Sequence, residues 1–124
     1  KNRIPSGFSG ASIKKFQKSD IIFREGDPSD GIYYVVSGEF EIRRNDKLVD
    51  LVDRSSIFIG EMAFLLGHKR TATVVARSDA QLIFISLDKW IDTIRQFPLY
   101  GIYLAKILAR KLNNLSKVFS ERME

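Results

Sequence analysis

No cysteine occurs among the 124 residues. That excludes disulfides, thiol catalysis, iron–sulfur ligation and cysteine-bound zinc. Histidine occurs once, as His68, too few for a conventional multi-histidine metal site. No apolar run approaches the ~18 residues needed to cross a bilayer. The N-terminal KNRIPSGFSG has none of the apolar stretch of a secretory signal. These absences fit a reducing compartment, and a cytoplasmic protein with no membrane insertion is expected. The chain reads as a cytosolic protein or, starting without Met, as a fragment, the cytosolic part of something larger.

What is present is an ordinary globular balance, 44% hydrophobic and 28% charged. It excludes a disordered chain, a collagen-like repeat and a membrane-embedded protein, and the length suffices for one core, not two. The net charge is +5. Residues 1–50 carry nine basic and eight acidic side chains and residues 51–124 eleven and seven, so most of the excess lies in the second half. No block of like charge forms an arm. Residues 1–10, rich in Ser, Gly and Pro, read as loosely held.

From Ser12 to Leu87 the pattern is that of short strands. Ile21, Ile22 and Phe23 form one apolar run, stopped by the turn Glu25-Gly26-Asp27-Pro28. Gly31 to Val36 is β-branched and aromatic, and Ser37-Gly38 interrupts it. Phe40 and Ile42 alternate with Glu39, Glu41 and Arg43, as in a half-buried strand. Asn45-Asp46-Lys47 reads as a turn before Leu48, Val49, Leu51 and Val52. Two more strands are expected over Thr71–Ala76 and Gln81–Ser86. Regular turn signals between short strands predict an antiparallel sandwich or barrel.

After Ser86 the period changes to that of a helix. Leu87, Trp90, Ile91, Ile94 and Phe97 recur at helical spacing; Ser86 is a plausible N-cap and Asp88 suits the first turn. Pro98 ends this helix, and a second runs from about Leu99 toward Met123. Leu104, Leu108, Leu112, Leu115 and Phe119 fall on one stripe, with Ile107 and Val118 alongside. That stripe reads as a packing or dimer seam. Lys106, Arg110, Lys111 and Lys117 read as a solvated face rather than a nucleic-acid patch.

The stretch Ile57 to Val74 carries the chemistry. Gly60 permits a backbone conformation that side-chained residues resist. Glu61 to Leu66 can form a short helix whose first N–H groups point outward. Arg70 brings a fork of donors suited to phosphate, and Glu61 supplies an acceptor for sugar hydroxyls. An anion clamp beside a carboxylate describes a site for a phosphorylated sugar. The bland alternative, weighed lower, is Arg70 as a surface arginine paired with Glu61 in an empty pocket; His68 reads as an exposed loop residue.

GEMAFLLGHKRTATV resembles the phosphate-binding cassette of the cyclic nucleotide-binding domain, roughly Gly-Glu-x-Ala-apolar-apolar, a variable loop, then Arg-(Ser/Thr/Ala)-Ala. FREGDPSDGIYYVVSGEFEI is similar to the same family's strand–turn–strand upstream, and the paired helices follow in the right order. The resemblance implies a mainly β fold with α: a double-stranded β-helix (jelly-roll) barrel with a short cassette helix and two C-terminal helices. It implies a single domain over residues 1–124, with a β-roll over about 12–86, the cassette at 57–74, a hinge helix at 87–98 and a lid or dimerisation helix at 99–124. Two departures are Ile59, where many members have Phe, and the truncated or missing helical segment before the first strand.

The implied ligand is cAMP or cGMP, with cAMP favoured, and no other cofactor or metal. Its contacts would come from Gly60, Glu61, Met62, Ala63, Arg70, Thr71, Ala72 and Leu51. Glu61 would accept from the ribose 2′-hydroxyl, and Arg70 would pair with the cyclic phosphate beside the N–H groups of Ala63 and Ala72. Thr71 would touch phosphate or base, and Leu51 the purine. Lys111, Leu115, Ser116 or Phe119 would reach the base from a lid helix. The chain is expected to be a regulatory module and not an enzyme, relaying occupancy through its last helix to an unknown effector. An alternative is the sensor half of a dimeric transcription regulator, forming a homodimer through residues 99–124 with no direct DNA binding by this chain. Another is a degenerate domain that no longer binds nucleotide. A metal-dependent cupin-type enzyme would need two or three histidines, and only His68 is available.

Overall fold

The computed structural model describes residues 6–8 and 11–123, with side chains placed for 7–8 and 11–114. Strands β1 (Ile13–Phe16), β2 (Ile21–Phe23), β3 (Gly31–Ser37), β4 (Phe40–Arg44), β5 (Lys47–Val52), β6 (Phe58–Ile59), β7 (Thr73–Ala76) and β8 (Ala80–Ser86) are interleaved with helix α1 (Glu61–Leu66) between β6 and β7. Helices α2 (Leu87–Gln96) and α3 (Leu99–Met123) follow. The chain divides into two compact units, Lys1–Lys89 and Trp90–Glu124.

In the first unit the strands form two four-stranded sheets, ordered β1-β8-β3-β6 and β2-β7-β4-β5. Every pairing is antiparallel. Only β4 and β5 are chain neighbours that pair; elsewhere the chain passes from one sheet to the other, as in a jelly roll. The expected roll is thus two sheets, with no hydrogen-bonded closure into one barrel among the described residues. Their inward side chains share one core: Val35, Phe40, Ile59, Val74, Ala76, Ala80 and Leu82, flanked by Phe16, Ile22, Phe23, Tyr33, Ile42 and Val52. Alternation along β7 puts Val74 and Ala76 inward, the period of two read from sequence.

Three local expectations need correction. The turn read over Asn45-Asp46-Lys47 is tighter: Asn45 and Asp46 take φ 51° and 64°, and Lys47 already pairs with Arg44. Two consecutive left-handed residues match the right-handed twist of a hairpin, and Asn and Asp tolerate them. The strand read from Thr71 begins at Thr73, because the backbone just before it is bonded elsewhere: Gly26 N–H donates to the Arg70 carbonyl and Arg70 N–H to that of Asp27, each at 2.8 Å. Within the segment read as loosely held, the Phe8 ring is fully buried, 5.4 Å from that of Tyr34 and 6.4 Å from that of Phe58. A buried ring of that size anchors its segment.

The helical boundaries follow their signals. The Lys89 N–H donates to Ser86 Oγ at 3.2 Å, so Ser86 caps α2. Pro98 separates α2 from α3, and the chain turns through hydrogen bonds from Phe97 N–H to the Thr93 carbonyl and from Gly101 N–H to that of Pro98. In the second unit Trp90, Thr93, Leu104 and Ile107 are buried. The expected stripe on α3 is covered only in part, since Leu112 is 67% exposed. Lys106, Arg110 and Lys111 are exposed. Leu115, Ser116, Lys117, Val118 and Phe119 lie outside the described side chains. No described helix is long and apolar enough to cross a membrane.

Candidate functional site

The cassette begins where β6 ends. Gly60 adopts φ 83°, ψ 13°, a left-handed conformation, at the N-terminus of α1. A Cβ there would collide with the Arg70 Nη1 and lie 3.2 Å from its Cζ, so conformation and close approach both require glycine. Gly67, also left-handed, closes α1. His68 N–H then donates to the Ala63 carbonyl at 2.9 Å, starting the run to Arg70. Glu61 and Ala63 face inward, whereas Met62, Leu65 and Leu66 are exposed. Glu61 is a buried carboxylate, 3% exposed.

Arg70 is the least ordinary residue of the fold. It is 4% exposed, so the surface-arginine reading does not hold. Its guanidinium is fixed in three directions. Nη1 donates to the Gly60 carbonyl and Nη2 to the Gly31 carbonyl, each at 2.8 Å. One face lies over the Phe23 ring, 4.1 Å from Cζ to centroid. The third nitrogen, Nε, is buried and its N–H has no hydrogen-bond acceptor. Burial pushes the guanidinium below its ordinary pKa, against the pull of Tyr33, Asp30 and Asp27. An arginine stays protonated nonetheless, so a positive charge is held away from water.

The loop between β2 and β3 does much of this holding. Besides its backbone bonds to Arg70, it leads into β3, whose first residue supplies the Gly31 carbonyl, and Asp27 Oδ2 accepts from Arg24 N–H at 2.9 Å to shape the turn. Gly31 has no room for a side chain: a Cβ would run into the Ile85 carbonyl and the Phe84 ring. Ser29 Oγ, in the same loop, is also buried without a partner. Beneath Arg70 the aromatic contacts continue, Phe23 to Tyr33 at 6.0 Å and Tyr33 to Phe84 at 5.1 Å. Burial raises the Tyr33 pKa, an effect the Arg70 charge opposes and Asp30 reinforces.

Gly60, Glu61, Ala63 and Arg70 are therefore brought together, with Ala72 buried just beyond. Met62 and Thr71 are exposed beside them. Leu51 stands apart on β5, opposite Glu41 and 47% exposed. It lines a cleft of about 130 Å³ with Glu39, Val52, Asp53 and Arg77. Lys111 is on the exposed side of α3, and the other three lid candidates fall outside the described side chains. His68 is exposed. Sequence reasoning missed Phe23 and the Gly31 carbonyl, both reached from across the fold.

A family model described as the cyclic nucleotide-binding domain matches residues 13–97, which include both sheets, the cassette and α2. The chain belongs to this family. Within it, the chain is 38% identical over 82 residues to a cGMP-dependent protein kinase of Toxoplasma gondii, covering 65% of this chain and 8% of the kinase. It is 32% identical over 96 residues to the cyclic AMP receptor protein of Thermus thermophilus, covering 73% of this chain and 44% of that protein. The chain thus spans less than half the length of either relative. The crystal structure of the Thermus thermophilus catabolite activator protein superposes with a TM-score of 0.81 at 26% identity, over 92% of this chain and 55% of that one. The matched residues make up a cyclic nucleotide-binding domain.

Proposed function

We propose that the cassette is the nucleotide site and that Arg70 is its phosphate clamp. The observation that carries this reading is the guanidinium itself, buried, charged and left with its Nε–H unmet. A buried donor without an acceptor costs about 1–3 kcal/mol. A phosphate oxygen on Nε–H would remove that cost and neutralise the charge in one contact. The same observation speaks against a degenerate domain, in which the buried Nε–H would stay without an acceptor. Glu61, the residue after Gly60 and the first of α1, takes a ribose hydroxyl in this reading, and the Ala63 and Ala72 N–H groups assist at the phosphate. The ligand is a purine cyclic monophosphate, and the module signals rather than catalyses, with α3 as its output element.

Calorimetric titration of the chain with cAMP and cGMP tests this. Truncating one partner of a buried, hydrogen-bonded charge pair costs about 2–5 kcal/mol. Arg70→Ala is therefore expected to weaken binding at least ~30-fold. Unchanged affinity in that variant, or no heat with either nucleotide on the wild type, would overturn the assignment.

A further inference from the structure

We infer that Phe23 is a positioning residue for the phosphate site, an aromatic platform that holds the Arg70 guanidinium in the plane from which its free donor serves the ligand. The inference rests on reading Arg70 as the clamp. Two carbonyls, those of Gly60 and Gly31, fix the in-plane direction of the guanidinium. Carbonyl bonds alone leave the group free to tilt about the line joining them. The Phe23 ring, 4.1 Å from Cζ, closes that freedom from one side. A cation within about 6 Å of an aromatic face is attracted by the ring quadrupole, more strongly where water is absent. The ring is itself seated. It stacks on Tyr33 at an interplanar angle of 27° and packs against the core cluster. Phe23 is also 3.4 Å from where a Cβ of residue 60 would stand, so ring, glycine and guanidinium share one small space.

An aliphatic side chain of similar bulk would fill that space without offering a π-face. The guanidinium would then sample tilted orientations, and only the fraction in the competent one would bind. Phe23→Leu is therefore expected to weaken cyclic nucleotide binding about tenfold, or 1.4 kcal/mol. Phe23→Tyr, which keeps the ring, should stay within about twofold. A merely structural role would not produce the second expected signature. A proton above an aromatic face is shifted upfield, so the Arg70 Nε–H resonance of the free chain should be displaced upfield, unchanged in Phe23→Tyr and returned toward the ordinary position in Phe23→Leu.

The experiment records proton–nitrogen correlation spectra and titrations with cAMP and cGMP on the full chain and both variants. Thermal melts check folding, and Phe23→Met replaces Phe23→Leu if the latter does not fold. Loss of both the upfield shift and the affinity in the ring-less variant, with both kept in Phe23→Tyr, supports the platform. An unaltered Arg70 resonance or unaltered affinity in the ring-less variant overturns it. If the wild type binds neither nucleotide, the phosphate-clamp reading fails. The Arg70 resonance then decides the platform alone: displaced by the ring it stands, undisplaced it falls.

Discussion

At the scale of single residues, Arg70 and Glu61 divide the work by charge. Arg70 is kept as a cation in a dry setting, where each contact to an anion counts for more than it would in water. Glu61 is buried next in sequence to Gly60, whose carbonyl Arg70 holds, and a carboxylate near a phosphate is repelled unless a hydroxyl stands between them. That demand gives a specific expectation. Glu61→Gln should weaken binding of the ribose-containing cyclic nucleotide about tenfold or more, the worth of one hydrogen bond to a charged group. It should leave binding of the 2′-deoxy analogue nearly unchanged. Competition titrations of both ligands on both proteins measure this, and equal losses for the two ligands would remove Glu61 from the ribose. The cassette residues were legible in sequence because each needs a particular side chain or, at Gly60, none. The Gly31 and Gly60 carbonyls were not legible, since any residue supplies a carbonyl. Phe23 looked like one apolar strand residue among three, and only folding places it under Arg70.

At the scale of elements, α1 and the α2–α3 junction were read almost to the residue, because Gly60, Gly67, Ser86 and Pro98 punctuate them with local chemistry. The start of β7 was not, because its boundary is set by backbone bonds between Arg70 and the β2–β3 loop. Helix α3 carries apolar residues on more than one side: Leu104 and Ile107 are buried, yet Leu99 (73% exposed), Ile102, Tyr103 and Leu112 are not. Exposed large apolar side chains repeated along a helix favour association with a second helix. The chain should therefore sediment as a dimer, and Leu112→Glu should shift it to monomer. A monomeric wild type at tens of micromolar would rule out the seam.

At the scale of the whole molecule, stability is tied to the site through Tyr33. Its pKa is raised above the ordinary 10.0, chiefly by burial. Below pH 10 the phenol is protonated in both folded and unfolded chains, and its contribution is fully present. As pH rises past 10 the unfolded chain ionises first, so folding stability falls until the folded pKa is passed. Tyr33→Phe keeps the stack on Phe23 and Phe84 and removes the ionisation. Melting temperatures followed from pH 8 to 11 should drop less steeply in that variant, and parallel curves would contradict the account. The two-sheet architecture brings β2, the β2–β3 loop and the cassette onto one guanidinium, and a structure of the full chain with a bound cyclic nucleotide tests most directly whether that guanidinium is the phosphate clamp. The account predicts a phosphate oxygen within hydrogen-bond distance of an Arg70 nitrogen, with the ribose hydroxyl on Glu61. A nucleotide bound elsewhere, with Arg70 still turned wholly to the carbonyls of Gly31 and Gly60, would contradict it.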